Sequence, residues 1–126
     1  MAVDFENSKL LKLAPTDLAN LDWLDETLIE KERGMLAFLG VRDSIAFTNH
    51  RIILRNVKGV TGTEVSSTTI PYHKIEAFTV ETSGITGISV TLTLFVGHIP
   101  PITMEFTRDA DVAKIRGLLS RAVLAK

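Results

Sequence analysis

The most regular feature of the chain is an alternation over residues 85–96. Ile88, Val90, Leu92, Leu94 and Val96 fall on one face, and Ser89, Thr91 and Thr93 on the other. A two-residue repeat of this kind is that of a strand with one buried face. Ile102, Met104 and Phe106 repeat the pattern against Thr103, Glu105 and Thr107, after a tight connection over 97–101 that carries Gly97, Pro100 and Pro101. Upstream, Ile45 and Phe47 share one face of a strand over 44–48. A return strand over 51–56 turns Ile52 and Leu54 one way and Ile53 and Arg55 the other. Between them Thr48, Asn49, His50 and Arg51 predict a hairpin turn, because Asn tolerates the left-handed backbone such turns require. Further strands are predicted over 32–39, where Gly34 weakens the pattern, over 64–70, which Pro71 ends, and over 73–81. A glycine-bearing loop over 58–63 separates the return strand from the next one.

Past residue 107 the period changes from 2 to 3.6. Val112, Ile115, Leu118, Leu119, Ala122 and Val123 form one stripe of a helix ending near Leu124, with Thr107 or Asp109 as its cap. Lys114, Arg116 and Arg121 lie off the stripe, and late cations suit the helix dipole. Gly117 costs about 1 kcal/mol against Ala in a helix interior, which predicts a close backbone neighbour there. At the other end, residues 1–15 have no clear period and are expected to be an arm. A short helix is predicted over 16–26, capped by Thr16, with Leu18, Leu21, Leu24 and Leu28 at helical spacing and Trp23 off that line.

The sum is about seven antiparallel strands followed by one amphipathic helix. A twisted sheet of that size leaves an open end to its core, and one apolar helical stripe can plug it. The expected fold is mostly β: a seven-stranded sandwich or partly open barrel capped by a C-terminal helix, with a short N-terminal helix. Residues 1–31 are expected to be arm and helix, and 32–126 the domain.

Composition narrows the function classes. A chain of 126 residues holds one domain, and 45% apolar content fits a folded globule. There is no cysteine, hence no disulfide frame and no thiolate metal site, which is compatible with a cytoplasmic setting. The first residues carry early acids and no apolar run long enough for a signal peptide, and no stretch approaches the ~20 apolar residues of a membrane span. Net charge is −1, which gives no field for nucleic acid. The charge is uneven, with eight acids against three lysines in residues 1–32 and eleven Lys and Arg against seven acids beyond. The acidic segment is expected either to neutralise the basic remainder or to mask a basic binding face.

Little in the sequence supports catalysis. His50, His73 and His98 stand 23 and 25 residues apart, too far to announce a shared site, so neither a metal ion nor a catalytic triad is expected. Asp109 and Asp111 suit a helix start. Two glycine loops, 59–66 and 84–91, match each other, but neither ends as a phosphate loop does. The stretch 33–40 has Met35, Ala37 and Gly40 where an RNA-stacking sheet would carry aromatics. No cofactor is expected.

The segment GVRDSIAFTNHRII over 40–53 resembles the RD-x-x-x-FTN-x-R-x-I core of the bacterial pleckstrin-homology domains. GVTGTEVSSTTIPYHKIEAFTVETSG over 59–84 is similar to that family's glycine loop, IPY-x-KI and TVET-like run. The resemblance covers about residues 32–124, with departures at Thr63, Glu64 and Gly87. It implies the pleckstrin-homology superfold and a non-enzymatic domain that assembles into a homo-oligomer, a ring of about five if a head-to-tail contact closes. On that reading the partners are the chain itself and an unknown protein. Arg42, Asp43, Asn49 and Arg51 are the candidate contacts to partner or sister subunit, against a bland alternative in which they pin loops and turns. A lipid-headgroup module is the alternative function. Specific phosphoinositide binding is not expected, because the loop over 38–43 offers only Arg42, with Asp43 beside it.

Overall fold

The computed structural model describes residues 9–58, 63–83 and 89–125. Eight strands form one sheet: β1 (Lys9–Thr16), β2 (Gly34–Leu39), β3 (Ser44–Thr48), β4 (Arg51–Lys58), β5 (Glu64–Pro71), β6 (Ile75–Ser83), β7 (Ser89–Val96) and β8 (Ile102–Phe106). A one-turn helix α1 (Leu24–Thr27) precedes β2, and α2 (Val112–Leu124) follows β8. The sheet order is β5-β4-β3-β2-β1-β8-β7-β6. Every pairing is antiparallel except β1 with β8. The predicted strands are β2 to β8. Much of the two glycine loops, residues 59–62 and 84–88, lies outside the described residues.

β1 corrects the reading of residues 1–15 as an arm. Leu10 and Leu13 are both fully buried, which an unbroken two-residue period cannot achieve. The strand manages it with an irregularity: its register against β8 shifts between Leu10 and Leu13, and Lys12 takes a left-handed φ of 55°. The extra residues turn Leu11 and Lys12 outward and hide the strand from any periodic template. β1 then joins the two halves of the sheet, pairing Lys9 and Leu10 with Thr103 and Met104 on one side and Ala14 to Thr16 with Leu39 to Ala37 on the other.

The sheet curls so that both halves face one core. Phe38 of β2 meets Phe106 of β8 with ring centroids 4.7 Å apart, and Phe47 of β3 at 5.9 Å, both edge to face. Ile45, Ile52, Leu54, Leu92, Leu94 and Met104 complete the centre. α2 closes the open end with Ile115, Leu118 and Leu119, while Val112, Ala122 and Val123 pack beside them. Its cap is Asp111, whose Oδ1 accepts the Lys114 N–H at 3.1 Å, not Thr107 or Asp109. A turn closed by Ala110 N–H to Thr107 C=O at 3.0 Å tucks Ala110 against the core and delays the helix. Gly117 faces no neighbouring backbone. The guanidinium of Arg121 lies over it, 3.4 Å from where a Cβ would stand.

A second, smaller core lies on the outer face of the sheet. Leu21, Trp23 and Leu24 cover Ala37, Ala46 and Ile53, and Trp23 Nε1–H donates to Ser44 Oγ at 3.1 Å. β3 is therefore buried along its whole length on both faces, and the small Ala37 and Ala46 make room for the overlying segment. That segment corrects the helix predicted over 16–26. It contains a single 3-10 turn at Leu18–Asn20 and the four residues of α1, separated by the extended Leu21. Thr16 belongs to β1, and its hydroxyl accepts from the Asn20 side chain at 2.8 Å instead of capping a helix. Burying leucines and a tryptophan on a flat sheet face overrides helical spacing here.

Candidate functional site

Two polar clusters stand at opposite ends of β3. The first is built on the β3–β4 hairpin, and its centre is a carboxylate that the sequence reading assigned to the acidic segment. Glu32 is buried just before β2. Arg51 grips it in a fork, Nε to Oε2 at 2.8 Å and Nη2 to Oε1 at 2.9 Å. Thr48 Oγ1–H donates to Oε2 at 2.7 Å, and the Ile29 N–H to Oε1 at 3.1 Å. The Arg51 bonds, with those from Thr48 and Ile29, outweigh burial and hold the Glu32 pKa down, lowered to about 2. The guanidinium also donates to Thr69 Oγ1 on β5 and to the Thr27 carbonyl at the end of α1. One side chain thus ties β4, β5, α1 and the approach to β2.

Asn49 completes this cluster. Its Oδ1 accepts the Arg33 N–H at 2.7 Å and its Nδ2 donates to the Lys31 carbonyl at 3.1 Å. Lys31 itself adopts a left-handed φ of 66°, so Asn49 fixes a strained approach to β2. Thr48 Oγ1 accepts the N–H groups of His50 and Arg51, both at 3.0 Å, shaping the predicted turn. Tyr72, buried below, donates its hydroxyl to the Thr48 carbonyl at 2.7 Å. Burial, with the Glu32 charge adding to it, pushes the Tyr72 pKa up.

The second cluster holds Arg42 and Asp43. The turn from β2 to β3 closes through the Gly40 N–H to the Asp43 carbonyl at 2.7 Å. Asp43 Oδ1 accepts from Asn56 Nδ2 at 2.6 Å, across the extension of β4 beyond β3. Burial pushes the Asp43 pKa up, opposed by a bond from the Val57 N–H and by the charges of Arg42 and Lys58. Here the carboxylate stands in for the next residue of β3 and satisfies the protruding β4 backbone. A cavity of about 320 Å³ opens beside it, walled by Leu11, Val41 and Val57. Val41 is 81% exposed and Leu11 45%.

The four candidate contact residues are therefore not brought together. Asn49 and Arg51 form internal bonds on the hairpin. Asp43 bonds internally at the far end of β3, with Arg42 exposed beside it. His50, His73 and His98 occupy three different exposed turns, and among the described residues no group of three His or acidic side chains could hold a metal ion. Glu32 escaped the sequence reading because its partner is nineteen positions away, with no local spacing to announce it.

A third feature lies along α2. Three adjoining cavities, of about 320, 90 and 280 Å³, run between this helix and the rim formed by the start of β2 and the β3–β4 hairpin. Met35 lines all three, Lys114 the first two, and Leu118 and Arg121 the last two. The groove exists because α2 rests on the turn Tyr72–Lys74 and on β6, leaving its β2 side open. β1 ends its pairing at Ala37, and Met35 falls in a shift of register against β3, so the first residues of β2 border the groove.

Comparison with known proteins places this architecture. A family model described as the bacterial PH domain matches residues 4–123. The Uncharacterized protein YjqA of Bacillus subtilis (strain 168) is 33% identical over 99 residues, covering 77% of this chain and 79% of that protein. The crystal structure of a duf1696 family protein with a pleckstrin-homology domain, from Shewanella loihica PV-4, superposes with a TM-score of 0.81 at 32% identity, over 90% of this chain and 98% of that one. A pleckstrin homology domain from Shewanella amazonensis SB2B gives 0.68 at 38% identity, over 87% and 90%. A PH-domain-containing protein from Exiguobacterium sibiricum 255-15 shares the fold alone, at 0.67 and 15% identity over 89% of this chain and 62% of that one.

Proposed function

The chain belongs to the bacterial PH domain family, and from that premise we propose that it is a non-catalytic interaction module that assembles with copies of itself. The fold of the family is that of a binding module. The observation that carries self-assembly is the pair of sheet ends. β5 and β6 are the first and last strands of the order, and neither outer edge has a strand neighbour among the described residues. Unpaired N–H and C=O groups along such edges are a template for another chain. Beyond the exposed Glu64 at its start, β5 also offers little to repel one: Val65 is 44% exposed, and Ser66 to Thr69 carry no charge. A head-to-tail contact through these edges closes into a ring of about five when its rotation permits. On the β2–β3 turn Arg42, with the exposed Val41 and Leu11, supplies a further contact surface. The rival function, a lipid-headgroup module, would need several cations on the β2–β3 turn, where Arg42 stands beside Asp43.

Light scattering coupled to size exclusion, at micromolar concentration and two salt strengths, tests the proposal. The expected mass is a multiple of the 13.9 kDa of one chain. A monomer mass under both conditions refutes self-assembly, and a dimer refutes the ring.

A further inference from the structure

We infer that the groove between α2 and the start of β2 is a docking site for an extended segment of a partner protein, apolar along its length and acidic at one end. The inference rests on the interaction-module reading and names the partner chemistry of one surface. Its first support is shape. Three cavities share walls in a line, and the sheet edge at Met35 borders them. From Asp111 to Ala125 α2 rises roughly 20 Å, the span of about six residues of extended chain. The walls offer apolar surface in Met35, which is 42% exposed, and in Leu36 and Leu118 beneath.

The second support is charge. Lys114 and Arg121 sit on the same side of α2, seven residues apart and exposed. Neither side chain has an ion-pair or hydrogen-bond partner among the described residues. Arg121 folds back over Gly117, so its guanidinium lies on the groove wall. A carboxylate entering there would gain charge-assisted bonds that nothing else in the described structure supplies. The mouth away from Arg121 carries Asp17, Asp109 and Asp111, and Lys114 stands on the wall between them and Arg121. The groove therefore runs from an acidic to a basic end, and an occupant with acids at both ends would meet repulsion at one of them.

Three hexapeptides test the assignment: Ac-Leu-Ser-Leu-Glu-Leu-Glu-amide, the same peptide with Gln for Glu, and the same with Lys for Glu. Each is titrated into the isotope-labelled full chain and followed by backbone amide resonances. The acidic peptide is expected to move the amides of Met35, Lys114, Leu118 and Arg121 and to bind at least about tenfold tighter than the Gln peptide, with no binding by the Lys peptide. The double substitution Lys114→Glu and Arg121→Glu changes two exposed side chains, so an unchanged melt certifies its fold. It is expected to reverse the preference between the acidic and Lys peptides. Equal affinities for the three peptides, unmoved groove amides at millimolar peptide, or an unchanged preference in the double variant overturns the inference. So do groove amides that shift with protein concentration alone, because a second copy then occupies the site. A monomeric protein that still prefers the acidic peptide discards self-assembly and keeps the groove; an oligomer that ignores the peptides does the reverse.

Discussion

Replacing Glu32 by glutamine removes the charge at the centre of the hairpin network while leaving its volume almost unchanged. The Glu32 side chain is 0% exposed and that of Arg51 18%. In the folded chain the carboxyl pKa falls from 4.5 to about 2. At about 1.4 kcal/mol per unit, that depression contributes on the order of 3 kcal/mol at neutral pH. Truncating one member of a buried pair costs about 3–5 kcal/mol by a separate line of argument. The lower end applies here, because Arg51 keeps its bonds to Thr27 and Thr69 in the variant. The sign of the pH dependence follows from the direction of the shift. The folded pKa is depressed, so the contribution is complete above the unfolded value of 4.5 and is lost as pH falls towards about 2. Urea denaturation, followed by the fluorescence of the buried Trp23, measures it without adding salt. The Glu32→Gln midpoint at pH 7 is expected to fall by about 1–3 M. The gap between wild type and variant should narrow steadily below pH 4.5. A difference under about 1 kcal/mol at pH 7, or a gap constant with pH, refutes the account.

Two further outcomes test other parts of the structure. Leu119→Asp is expected to unfold or aggregate the chain, because the buried leucine alone is worth about 2–5 kcal/mol before the unpaired charge is counted; a melting temperature within a degree or two of wild type would show that α2 does not close the core. Titration calorimetry with soluble inositol phosphates is expected to give no selective binding, and micromolar affinity abolished by Arg42→Ala would sink that expectation.

What the sequence disclosed follows the physics of each element. β7, β8 and α2 were legible because each buries one continuous face, which leaves its period in the residues, and β3 and β4 because Ile45, Phe47, Ile52 and Leu54 keep the larger core's face apolar. The bulged β1 was not, since Leu10 and Leu13 reach the core through an irregular stretch at Leu11 and Lys12. The region around Trp23 misled for the opposite reason: its leucines fall at helical spacing but are laid onto the outer sheet face. Asn49 and Arg51 stand out in the resemblance, and their bonds explain the turn they occupy. Glu32 does not stand out, because a partner distant in sequence leaves no local mark. The groove along α2 was invisible for a similar reason. It arises where elements fail to meet, and no pattern of residues records a gap.

The position of β1 also bears on how the chain reaches its native state. Residues 9–13 pair with 103–106, among the most sequence-distant contacts the sheet contains, while β2 to β5 form a meander of neighbours. During synthesis that meander can assemble early, with β1 already beside β2. The other edge of β1 must wait until β8 emerges from the ribosome. Loop-closure entropy makes such late pairings slow. Until then the nascent chain carries a half-finished strand with the apolar Leu10 and Leu13, and that interval is where chaperone engagement or misassociation between nascent chains would concentrate.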